Sequence, residues 1–171
     1  MAKKLVDVTA GEIYAIPLFV SEKSPRTRFY KRDFVGARRS FAFGRVISDE
    51  QGGGLIIEVF ECVGSVETEI DEIVGAGRLF RPIATTSLAI YKKRWPLIGL
   101  QADYDRERDS GYSAIELVLS PFDNPVLWRG GVKSDISIDE VGAYEPWTWH
   151  AAHKIELRII QALRDRGIAW E

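Results

Sequence analysis

Two strongly apolar runs, Phe41 to Ile47 and Leu55 to Glu61, flank the turn-rich stretch Ser48 to Gly54, which ends in three consecutive glycines. This arrangement constrains the chain more than any other. Short β-branched and aromatic runs separated by Gly and Asp read as a hairpin with a loose loop. Glu12 to Phe19 reads as another strand, with Ile13, Ala15, Pro17 and Phe19 on one face and Tyr14, Ile16 and Leu18 on the other. Both faces are apolar, which predicts a strand covered on both sides. Pro17 cannot donate to a ladder, so its side should be an edge or a bulge. Leu79 to Ile90, Trp95 to Leu100 and Ile115 to Leu119 are further strand candidates, interrupted by Pro82 and Pro96.

From Ser120 the character changes. Pro121, Pro125, Gly130 and Gly131 mark loops, and the chain closes on an apolar stripe at helical spacing: Ala152, Ile155, Ile159 and Leu163. Thr148 suits the N-cap of that helix and Gly167 its C′ position. Strands first and a helix last define an α+β class. The expected architecture is a mostly antiparallel curved sheet, or a partly open small β-barrel, with a C-terminal α-helix. The expected organisation is a single domain over residues 1–171: a strand-rich core over 11–119, then a loop and helix over 120–171 packed on it. The length of 171 residues fits that organisation.

Several function classes are disfavoured early. A single cysteine, Cys62, removes an intramolecular disulfide framework and a Cys-rich zinc site. It reads as a small buried hydrophobe. The N-terminus has no apolar segment behind its lysines, and no apolar stretch is long enough to span a bilayer. A cytoplasmic location, with no membrane partner, is expected. The net charge is −2, which exerts no global pull on nucleic acid. Phosphate-loop, dinucleotide-binding and nucleophile-elbow motifs are missing, and no cofactor is expected. Asp103, Asp105, Glu107 and Asp109, interleaved with Arg106 and Arg108, read as a solvated charged loop.

Charge is informative locally. Arg26 to Arg39 holds six basic residues and one acidic residue, Asp33, whereas Glu58 to Glu72 holds six acidic residues and no basic one. Segregated charge can steer a partner and set its register. Alternatively, the two segments neutralise each other or lie on unrelated surfaces. Arg28, Arg32, Arg38, Glu67, Glu69 and Asp71 are the candidate contact residues, with Phe29 and Tyr30 as aromatic anchors of the kind enriched at hot spots. Arg45 projects from the apolar row of Phe41, Phe43 and Ile47 and needs a partner. Glu58 meets it if hairpin pairs sum to an odd number, while an even sum brings Ile57 opposite. Gly44 marks a bulge or a close backbone approach.

The segments Gly11–Leu18 (GEIYAIPL), Phe41–Ile47 (FAFGRVI), Leu55–Phe60 (LIIEVF), Leu79–Ile83 (LFRPI) and Arg94–Gly99 (RWPLIG) resemble the immunity protein 26 family over roughly Gly11 to Leu119. That resemblance implies a cytoplasmic bacterial immunity protein of a polymorphic toxin system, which binds a cognate toxin domain. Some members of the family carry a phosphotriesterase label. The alternative is therefore a phosphotriester hydrolase, whose metal would fall to His150, His153 and Glu156 near the start of the last helix. A nucleic-acid interface built on the basic segment is disfavoured by the acidic segment and a pI near 5.8.

Overall fold

The computed structural model describes residues 6–19, 28–36, 40–52, 54–120 and 122–170. Nine strands form two open sheets among these residues, so the open sheet is adopted rather than the barrel. The first sheet contains β1 (Glu12–Pro17), β2 (Phe41–Asp49), β3 (Leu55–Gly64), β4 (Ile83–Thr85) and β5 (Leu97–Leu100) in the order β4-β3-β2-β1-β5, antiparallel throughout. The second contains β6 (Glu116–Leu119), β7 (Val126–Arg129), β8 (Val132–Asp135) and β9 (Glu145–Pro146) in the order β8-β7-β6-β9, with β9 parallel to β6. The stretch after Ser120, read above as loop and helix, therefore supplies three strands. They are only two to four residues long, too short for a periodic signal.

The hairpin of β2 and β3 is the centre of the first sheet. Both faces of β1 are buried, as its two-sided pattern predicts. Tyr14, Ile16 and Leu18 join Val46, Leu55, Ile57 and Val59 on one side. Ile13 and Ala15 join Phe41, Phe43, Phe60 and Cys62 on the other. A third cluster, with Ile47, Ile56, Leu117 and Trp128, joins the two sheets. Pro17 is harmless because Ala15 donates to the Pro96 carbonyl at 2.9 Å. Pro17, two residues on, faces the same edge beyond the pairing of β5, where no ladder donor is required. Gly44 combines both expected roles. The pairing jumps from Ala42–Val63 to Gly44–Val59, and a Cβ there would lie 3.1 Å from Ile16 Cδ1.

Three expectations need correction. Leu79 to Ile90 is not one strand: only β4 pairs, and α2 (Leu88–Tyr91) follows it. Pro82 removes a ladder donor just before β4. Asp103 to Asp109 is not a loop alone, because α3 (Arg106–Ser110) forms there, N-capped by Asp105, which accepts from Arg108 N at 2.7 Å, and stopped by left-handed Gly111. The last helix, α4 (Ala152–Asp165), begins at Ala152 with Ala151 in the N-cap position, not Thr148. The Thr148–His150 stretch is instead drawn against the sheet by a parallel bridge from His150 to Thr85. The α4 stripe lands as expected: Ile155, Ile159 and Leu163 are buried on the first sheet, and Gly167 takes a left-handed φ of 68° just past the C-cap.

Candidate partner-binding surface and the polar locks behind it

The basic segment is held by its aromatic residues. Phe29 is 4% exposed and Phe34 7%. They sit in a cluster of rings with Phe19 and Phe41, with centroids 5.1 to 5.8 Å apart. Phe29 N donates to the Lys93 carbonyl at 2.7 Å, and Lys31 Nζ donates to the Ile98 carbonyl at 3.2 Å. Phe29 therefore anchors the segment from within rather than offering a contact face. Arg28, Tyr30 and Arg32 are left on the outside. The Arg32 guanidinium lies 4.9 Å from the Tyr30 ring centroid and 4.0 Å from Asp33. Arg38 lies outside the described residues.

The acidic segment reaches the same cluster from the other side. Val66 and Ile73 are buried in it, and Ile70 and Val74 pack against it. This seats α1 (Ile70–Gly75), with Glu69 at its N-cap position and Asp71 and Glu72 in its first turn. Carboxylates there favour the helix N-terminus. Glu67, Glu69 and Asp71 are exposed. A backbone hydrogen bond from Gly36 N to Glu67 Oε2, at 2.9 Å, ties the two segments together. Among the described residues, no ion pair joins Glu67, Glu69 or Asp71 to the basic segment. Basic and acidic groups thus share one underlying apolar cluster without cancelling through those three carboxylates.

The rest of the acidic run is consumed inside. Arg45 and Glu58 are cross-strand partners, the odd-sum register. Glu58 Oε1 lies 2.5 Å from Arg45 Nη2, and Oε2 lies 2.5 Å from Arg78 Nε. Ser110 Oγ donates to Glu58 Oε1 at 2.6 Å, and the Tyr104 hydroxyl is 2.7 Å from Ser110 Oγ. Arg45 also donates to the Asp109 carbonyl and the Gln101 side chain and lies over the rings of Phe60 and Tyr104. This network clamps α3 to the first sheet. The opening glycine of the GEIYAIPL motif serves it too, since a Cβ on Gly11 would lie 2.7 Å from Tyr104 Cβ. Arg78, Tyr104 and Ser110 gave no sequence signal, because their separations from Arg45 span a whole sheet and its connections.

His150, His153 and Glu156 do not form a metal site. Among the described residues no group of three or more His, Cys, Asp or Glu side chains is placed to hold a metal ion. His150 precedes α4 instead of lying on it, so the helical spacing that would align the trio is broken. Glu156 is 2% exposed. It accepts from Arg94 Nε at 2.7 Å, Arg94 Nη2 at 2.6 Å and Trp95 Nε1 at 3.0 Å. The Arg and Trp of the RWPLIG motif thus lock α4 to the sheet. His150 Nε2 is buried with no hydrogen-bond partner, and burial, with Arg158 nearby, pushes the imidazole below its ordinary value. Cys62 is buried, and burial with Glu72 nearby raises its thiol, which keeps it protonated and unreactive.

The site is thus part of a small open-sheet α+β scaffold, with charged segments over one apolar cluster and the buried carboxylates Glu58 and Glu156 engaged by arginines. The chain belongs to the immunity protein 26 family, whose model matches residues 9–124. Comparison with curated proteins and with solved structures gives no match. No helix among the described residues is long and apolar enough to cross a membrane.

Proposed function

We propose that the protein neutralises a cognate toxin domain of a polymorphic toxin system by stoichiometric binding in the cytoplasm, and that the contact surface is built by Arg28, Tyr30, Arg32, Glu67, Glu69 and Asp71, with Arg38 as a further contact from sequence. Family membership supports the immunity role. The observation that carries the surface is the convergence of the 28–36 segment and α1 on one phenylalanine cluster. Mixed, segregated charge over a rigid apolar support favours fast encounter and a fixed docking register. Loops carried on a fixed scaffold are where partner choice can vary without cost to the core.

The test is affinity capture of the tagged protein from its native cells at physiological salt, with mass spectrometry of what is retained. One stoichiometric partner, the C-terminal domain of a large secreted protein, is the expected result. Absence of any such partner while the toxin is demonstrably expressed overturns the reading.

A further inference from the structure

A cleft of about 630 Å³ opens between the β2–β3 turn and the second sheet. Trp128, Trp147 and Trp149 are among the residues that line it. Trp128 is buried and packs edge-to-face on Trp147, with centroids 5.2 Å apart and planes at 83°. Trp149, 58% exposed, lies against the turn, where a Cβ on Gly54 would come within 3.1 Å of its Nε1. Glu50 lines the same cleft. Its Oε1 accepts from Ser48 Oγ at 2.7 Å and from the Tyr112 hydroxyl at 2.8 Å, so the carboxylate is held in place. Its Oε2 has no donor, and Glu50 forms no ion pair, among the described residues. A fixed carboxylate in a cleft also lined by indoles suits a cation, since the ring quadrupole and the anion attract the same ligand. Lys133 reaches the cleft from edge strand β8 on an exposed, flexible stem.

We propose that this cleft receives an arginine side chain of a partner protein, stacked on Trp147 and Trp149 with one guanidinium N–H on Glu50 Oε2. A planar guanidinium can stack and donate at once, which an ammonium cannot. Trp128, Trp147, Trp149 and Lys133 all lie beyond the stretch that matches the family, residues 9–124. Glu50, Gln51 and Leu119, which line the same cleft, lie within that stretch. Lys133 swings to solvent when the guanidinium enters, and its charge opposes binding.

The test is a titration of the full chain with N-acetyl-arginine methylamide, followed through the indole N–H resonances in two-dimensional NMR. Saturable shifts at Trp147 and Trp149 are expected, with binding at least about tenfold weaker for the neutral citrulline analogue. Glu50→Gln should weaken binding about fivefold or more, and Lys133→Ala should strengthen it a few-fold. Trp149→Ala, at an exposed position, should abolish it and serves if Glu50→Gln does not fold. Equal binding of the citrulline analogue, tighter binding of choline, weakening by Lys133→Ala as a neutral sugar site would show, or no saturable shift overturns the proposal. The titration reads the cleft alone, so its failure leaves the toxin reading standing.

Discussion

Arg45 and Glu58 are both 1% exposed. Burying two charges is costly unless each finds its full set of partners, and removing one leaves the other stranded. Arg45→Met is therefore expected to destabilise the fold by about 3–5 kcal/mol, read from urea unfolding. Adding Glu58→Leu should recover most of that loss, because Arg78 lies at the surface and can return to water. A loss below about 1 kcal/mol for the single variant would show that the pair is not the clamp described here. His150 makes the pH prediction. Arg158 and Lys154 lower its affinity for a proton, Glu145 raises it, and burial lowers it most. The unfolded chain then binds the proton more readily than the folded one, so this contribution to stability is complete above the ordinary value of 6.5 and declines as pH falls through the folded value. His150→Gln should flatten the stability profile between about pH 7 and 5, and an unchanged slope would remove His150 as its cause.

The hairpin and the last helix were legible because their patterns are local. Apolar runs with Gly-rich punctuation, and a stripe at i, i+3 and i+4, follow from how side chains leave a strand or a helix. The helix start was not legible. Thr148 is the better cap by residue type, but the His150–Thr85 bridge holds the backbone extended past it. Tertiary pairing outweighed a cap worth about 1 kcal/mol. The stripe itself carries the attachment of α4: Ile159→Ala should cost about 2–5 kcal/mol in thermal or urea unfolding, whereas Leu157→Ala, on the exposed face, should cost little. Comparable losses at both positions would mean that α4 is not seated as described.

At the scale of the molecule, the two charged segments meet through a shared apolar cluster and the hydrogen bond from Gly36 N to Glu67 Oε2. The contact candidates at 28–32 and 67–71 are separated in sequence by β2 and β3, yet both stretches rest on the same ring cluster. Reversal of Glu69 and Asp71 to Lys should weaken toxin binding by about tenfold or more, with the larger effect on association rate at low salt. Surface plasmon resonance across ionic strength checks this, and an unchanged rate would place the contact elsewhere. Patterning in the chain determined the α+β class, the two-sided burial of β1, the need of Arg45 for a partner, and the family, because apolar period, turn chemistry and the cost of an unpaired buried charge are properties of neighbouring residues; the register that brings Glu58 opposite Arg45 was decided by the sheet. The tertiary structure alone decided the second sheet, the use of Glu156 as the anchor of Arg94 and Trp95, the burial of Phe29, and the meeting of three tryptophans with Glu50. Those depend on which distant surfaces come together, and strands of two to four residues with single buried polar groups carry too little local signal to declare their partners.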